Sequence, residues 1–167
     1  QPRSRGLGDV YKRQVGDRPE HEWAGDAKVR DVVAGLVADL DWQAPIAALS
    51  GGQRRRVQLA ELLIGDWDVI ALDEPTNHLD IEGITWLAAH LKARWSRSVG
   101  GLLVVTHDRW FLDEVATTTW EVHRVDGPGG GGSGGQGVGA GSVIEPFDGG
   151  YAAYVLQRVE RDRVAAA

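Results

Sequence analysis

The chain contains neither cysteine nor methionine in its 167 residues. Without cysteine there is no disulfide framework and no thiolate metal site, a composition that suits a cytoplasmic protein. Without methionine there is no initiator residue, so the chain is expected to be processed or a piece of something longer. No apolar run approaches the roughly 20 residues that span a bilayer, and no charged-then-apolar leader pattern is present, so no membrane segment is expected. Basic residues are outnumbered and the formal net charge is -6. Outside residues 1–14, no stretch forms a basic surface able to hold nucleic acid by neutralising phosphates. What remains, 43% hydrophobic and 25% charged, suffices for one core rather than two.

Two stretches stand apart from that core. Residues 1–14 lack apolar periodicity and carry Arg3, Arg5, Lys12 and Arg13. Asp9 to Gln14 (DVYKRQ) looks like the in-frame translation of a sequencing-library adapter, so 1–14 is read as a non-native scar, with a disordered basic tail as the alternative. Residues 127–141 are ten-fifteenths glycine, too poor in apolar surface to offset their ordering entropy, and are expected to be a flexible insert. No lysine or helix start follows at the spacing of a phosphate-binding loop. At the other end, Val155 to Ala167 is helix-forming and stops without a Gly or Pro signal, as if cut.

Between these stretches, helices and strands alternate. Val29, Val32, Val33, Leu36, Val37 and Leu40 have helical spacing, predicting a helix over 27–40 that Asp41 to Pro45 ends. Ser50 is a good N-cap for a helix running to Ile64, with Gly65 as the stop. Val69 to Leu72 and Leu102 to Val105 are continuous apolar runs, the pattern of strands covered on both faces. A helix lined by Ile81, Ile84, Leu87, Leu91 and Trp95 lies between them, and another follows from Arg109 to Ala116. Thr117 to Val122 and Ser142 to Glu145 are β-prone. This order predicts an α/β fold with a largely parallel sheet, in which ligands gather beyond the carboxyl ends of the strands.

The candidate chemistry sits at those ends. The first apolar strand runs into Asp73 and Glu74, two adjacent carboxylates that are costly to bury without compensation. An isolated Asp-Glu pair is usually a solvated loop; after VIAL it makes a Walker B pattern, one acid for a Mg²⁺ shell and the next for orienting water. Ser50, Gly51, Gly52 and Gln53 open a helix with unpaired backbone N–H groups, an anion-binding arrangement that more often is just a capped helix start. His107 ends the second strand, where an imidazole can donate to a phosphate oxygen or hold water, although most such histidines are packing or surface residues.

Taken together, LSGGQRRRVQLA at 49–60, VIALDEPTNHLD at 69–80 and VVTHDRWFLDEVA at 104–116 resemble the signature, Walker B with D-loop, and switch-histidine segments of an ATP-binding cassette. NHLD after DEPT resembles the ABC-F branch, two-cassette proteins of which many act on the ribosome. The tail FDGGYAAY at 147–154 is similar to the exit of an ABC-F first cassette into its interdomain linker. The resemblance implies an ATPase with ATP and Mg²⁺ as cofactors, with a second cassette and, for the full-length protein, the ribosome or RNA as partners. Asp73 would support Mg²⁺ through water, Glu74 polarise the attacking water and His107 contact the γ-phosphate. Ser50, Gly51, Gly52 and Gln53 would cap a nucleotide held by the opposite cassette, and Asp80 would couple the two sites.

The implied organisation is a signature-subdomain portion at 15–65, the C-terminal part of the ATPase core at 66–126, the glycine insert at 127–141, and a terminal strand with the start of a linker helix at 142–167. No G-x-x-x-x-G-K-[ST] occurs in the chain, and the adenine-stacking aromatic and Q-loop glutamine are not identifiable. These precede the signature in the family, so the piece is expected to hold half of each of two sites and to be inactive alone. The nucleotide-binding subunit of a membrane transporter and an inactive misassembled remnant are the alternatives. Arg54, Arg55 and Arg56 are expected on a solvated face. The seven tryptophans, from Trp23 to Trp120, are expected to be too scattered for a stacking platform. His21, His78, His90 and His123 show no metal-ligand spacing with one another.

Overall fold

A computed structural model describes residues 25–41, 44–95, 99–125 and 141–166. The stretch 1–14, His21, Trp23, Trp42 and residues 127–140 of the glycine run lie outside them. The chain divides into two compact units, Gln1–Asp108 and Arg109–Ala167.

In the first unit, α1 (Ala27–Leu36) begins at Asp26, whose side chain accepts from the Lys28 amide. It is four residues shorter than its periodicity predicts. The chain leaves the helix through turns closed by Val37 N–H to Val33 O and Leu40 N–H to Val37 O. Val37 and Leu40 stay buried, so the apolar period outlasts the helix. Helix α2 (Gly51–Ile64) starts at Ser50 and stops at Gly65, as expected. Val57, Ala60, Leu63 and Ile64 form its buried stripe, which meets Val29, Val32 and Leu36 of α1 in the core. Arg56 makes a bidentate pair with Asp39 at 2.7 and 2.8 Å and donates to Leu36 O at 3.1 Å. Of the three arginines expected on a solvated face, it therefore works as a tie between α2 and the end of α1.

Strands β1 (Val69–Asp73) and β2 (Gly101–Val105) pair in parallel, with Asp73 opposite Val105, joined through α3 (Ile81–Arg94). The parallel pairing matches the strand–helix–strand reading. The two-faced burial does not hold: Ile70 and Leu72 are buried, while Val69, Leu103 and Val105 are exposed. An apolar run makes a strand fit for cover on both sides; among the described residues only one side receives it. Helix α3 buries Leu87, Ala88 and Leu91, and is capped by the Asp80 carboxylate, which accepts from Gly83 N–H at 2.8 Å.

The second unit holds α4 (Arg109–Val115), β3 (Thr118–Val125), β4 (Gly141–Asp148) and α5 (Tyr151–Ala165). Here β3 and β4 form an antiparallel pair, longer than the β-prone segments suggest. Phe111 and Phe147 are its buried anchors, with Tyr154 edge-on to Phe147 at 5.0 Å. Gly150 offers α5 no capping side chain; the Asp113 carboxylate instead accepts from Ala152 N–H at 2.8 Å. No helix among the described residues is long and apolar enough to cross a membrane.

Candidate functional site

Parallel register brings the sequence-predicted acids and histidine together. Because Asp73 pairs with Val105, the residues following each strand emerge side by side. The Glu74 amide donates to Val105 O at 2.7 Å, carrying the ladder one residue past the strand. Glu74 then turns with φ 47°, in the left-handed region that a glutamate occupies only when its surroundings impose it. The turn is closed by Asn77 N–H to Glu74 O and Leu79 N–H to Thr76 O, with Thr76 buried.

His107 Nδ1 lies 2.9 Å from Glu74 Oε2. The Thr106 hydroxyl donates to the same oxygen at 3.3 Å and accepts from the Asp108 amide at 3.1 Å. Thr106 was not singled out from the sequence; its position directly before His107 at a strand end was the available signal. The His107 hydrogen bond holds the Glu74 carboxyl below its ordinary value, and the Glu74 carboxylate in turn raises His107. Both charged forms are favoured: an ionised acid beside a protonated ring. With Nδ1–H committed to Glu74, the protonated ring keeps Nε2–H as a donor, and the side chain is 80% exposed. Asp73 lies on the exposed side of β1 beside this pair, an oxygen donor suited to a hard divalent cation held through water.

The Ser50–Gln53 segment forms a capping box. Ser50 Oγ accepts from Gln53 N–H at 3.2 Å, and Gln53 Oε1 accepts from Ser50 N–H at 2.8 Å. Both side chains thus spend acceptor capacity inside the helix start and retain donors, the Ser50 O–H and the Gln53 amide N–H₂. The amides of Gly51 and Gly52 are the first orphan donors of a 14-residue helix. All of these groups suit an anion. Gly52 also tolerates a close neighbour: a β-carbon there would stand 3.2 Å from His78 Cβ, tying the signature start to the NHLD loop. His78 itself has φ 68°. Asp80 lies at the end of that loop, with its carboxylate engaged as the α3 cap.

Two other groupings were not read from the spacing of the residues. Trp67, Trp86 and Trp95 line one cavity, so these three are not scattered in space; turns and helix faces gather positions 28 residues apart. His123 brings a ring nitrogen within 4.8 Å of Glu121 and Glu145 carboxylates across the β3–β4 pair, although the sequence spacing gave no hint of it. Arg158 pairs with Glu121 and Arg161 with Glu145, so that cluster is already charge-matched.

A family profile described as ABC transporter matches residues 9–77. The energy-dependent translational throttle protein EttA of Mycobacterium tuberculosis (strain ATCC 25618 / H37Rv) is 41% identical over 117 residues, 70% of this chain and 17% of that protein. The putative ATP-binding protein YdiF of Bacillus subtilis is 34% identical over 151 residues, 90% of this chain and 20% of that protein. The chain therefore spans about a fifth of the length of these curated relatives. In fold it is similar to the archaeal ribosome recycling factor aABCE1, solved in complex with the ribosomal stalk protein aP1, with a TM-score of 0.60 and 22% identity over 74% of this chain and 23% of that one. With the signature, Walker B and switch-histidine segments placed as described, the chain belongs to the ATP-binding cassette family, in its ABC-F branch, as a partial cassette.

Proposed function

We propose that this chain supplies the water-orienting and signature parts of a two-cassette ABC-F ATPase whose turnover is coupled to the ribosome. The observation that carries the reading is the Glu74–His107 pair at 2.9 Å, built by the ends of two parallel strands. The names of the relatives, a translational throttle protein among them, supply the ribosomal side.

Glu74 acts as a held carboxylate. Oε2 is fixed by His107 and Thr106, which leaves Oε1 to accept from the attacking water. A lowered pKa makes Glu74 an orienting group more than a strong base. His107, whose protonated form Glu74 favours, offers Nε2–H in that form to a terminal phosphate oxygen. Asp73 would hold Mg²⁺ through water; when bound, the metal offsets charge on the transferring phosphoryl group. The donors of Ser50, Gly51, Gly52 and Gln53 face the nucleotide of the opposite cassette, and Asp80 joins the two faces through the NHLD loop. Such catalysis is positioning plus charge stabilisation.

This piece contributes no lysine cradle for the β- and γ-phosphates, so by itself it should bind ATP weakly and not turn over. The tail at 147–154 supports placement in the first cassette. A transporter's nucleotide-binding subunit is the second reading; the NHLD sequence and the identity to EttA favour the first. The test is ATP-dependent co-sedimentation of the complete protein with ribosomes. The Glu74→Gln form should stay ribosome-bound in ATP, whereas a form that sediments with membranes and never with ribosomes would reverse the reading.

A further inference from the structure

Helix α2 and the loop from Glu74 to Asp80 carry the two chemical faces of this chain: the anion-binding start at Ser50–Gln53 and the water-orienting Glu74. The two are not packed flush. A cavity of about 400 Å³ lies between them, with Arg55, Arg56 and Leu59 on the helix side and Asp73, Asn77 and Leu79 on the other. A close contact is made instead at Gly52. A β-carbon there would stand 3.2 Å from His78 Cβ and 3.3 Å from its Cγ and Nδ1, inside the roughly 3.5–4.0 Å at which carbon atoms pack. His78, otherwise exposed, therefore rests against the helix start in space that glycine at 52 leaves open.

Neither side of this contact yields easily. His78 has φ 68°, a left-handed backbone that glycine adopts at no steric cost and a β-carbon opposes. The turn around it is closed by Asn77 N–H to Glu74 O and Leu79 N–H to Thr76 O, both at 3.2 Å. Pro75 and Thr76 are buried, and the Asp80 carboxylate is held by Gly83 N–H. On the helix side, Ser50 and Gln53 close the capping box around Gly51 and Gly52. One turn on, Arg56 is tied first to Asp39, and the Asp80 carboxylate adds to what favours its charge.

We propose that His78 is a positioning residue of the ATPase: a strut that rests on Gly52 and sets the distance between the Glu74–Asp80 loop and the signature start. The inference rests on the two-cassette reading above. A nucleotide gripped by the opposite cassette and touching Ser50–Gln53 then acts, through His78, on the loop that begins at Glu74. Gly52 thereby lacks a side chain for the sake of His78, a reason separate from the close approach of a phosphate.

Two substitutions at 78 isolate the strut. Glycine suits the left-handed backbone and removes the contacting atoms, whereas asparagine tolerates that backbone and places a planar amide where Cβ, Cγ and Nδ1 stand. In ¹H–¹⁵N NMR spectra of the 167-residue chain, Gly52→Ala should move the amide signals of residues 76–80. The same change in a His78→Gly background should leave those signals in place. In the complete protein, His78→Gly should slow single-turnover ATP cleavage about tenfold with ATP binding unchanged, as a misplaced loop does. His78→Asn should restore the rate to within about twofold, and Gly52→Ala should add less than about twofold to the loss in His78→Gly. Loop signals that ignore Gly52→Ala in the unsubstituted chain overturn the proposal. So does cleavage lost equally on Gly52→Ala with and without His78, which assigns Gly52 to the nucleotide alone. An unsubstituted complete protein that cleaves no ATP refutes the proposed function instead, and the loop signals still decide the strut.

Discussion

Replacing Gly35 by alanine should destabilise this protein, against the usual rule for a helix interior. Gly35 lies in the last turn of α1, where alanine normally gains about 1 kcal/mol over glycine. Here the added methyl would lie well inside 3.0 Å of three ring carbons of Trp86. The ring has little room to retreat: its Nε1–H is bonded to Asp31 and its face is stacked on His90. Overpacking of this kind costs about 1–3 kcal/mol, so after the propensity gain the net effect should be a loss of up to roughly 2 kcal/mol. Urea unfolding followed by far-UV circular dichroism reads the change without depending on indole fluorescence. In a Trp86→Ala background the obstruction is gone, and the same Gly35→Ala change should then stabilise by about 1 kcal/mol. The sign reversal is the signature of the contact, a coupling of about 1–3 kcal/mol between neighbouring positions. If Gly35→Ala stabilises the unsubstituted chain, the packing argued for this corner is wrong.

Three further outcomes follow from the site. The Glu74–His107 pair should show in a titration of the His107 ring by NMR: its pKa should lie above 6.5 and fall toward that value in Glu74→Gln. The raised histidine favours the folded state fully below about 6.5 and loses that contribution as pH rises through its folded pKa. The lowered glutamate favours it above about 4.5 and loses that contribution as pH falls through its own folded pKa. The pair's effect is therefore greatest between those two values. Ser50→Ala opens the capping box and should cost about 1 kcal/mol in a denaturant melt, whereas Ser50→Thr should cost less. Asp80→Ala removes the α3 cap and should cost about 1 kcal/mol, while Asp80→Asn, still able to accept from Gly83 N–H, should be nearly neutral in stability.

Much of the fold was legible because local rules and packing agreed. Ser50 caps α2 as its chemistry requires, the helix stops at Gly65, and the apolar runs at 69–72 and 102–105 became parallel strands. Placement of Glu74 beside His107 follows from those strands, since register decides which side chains leave a sheet together. Three features were not legible, each for a physical reason. The end of α1 was hidden because Val37 and Leu40 remain buried in the turns beyond it. One-sided cover of β1 and β2 could not be read from their own residues, because burial of a strand depends on what packs against it. Most of all, the tryptophan cavity depends on pairs such as Trp86 with Gly35, 51 residues apart, where a glycine matters only through the ring that fills its missing side chain.

The central claim is that Glu74, steadied by His107 and Thr106, orients the water that cleaves ATP. Single-turnover hydrolysis in the complete protein, comparing Glu74→Gln with the unsubstituted form, tests it most directly. Removing such a carboxylate should slow cleavage about 10²- to 10⁴-fold while bound ATP is retained. Cleavage at an unchanged rate would contradict the account.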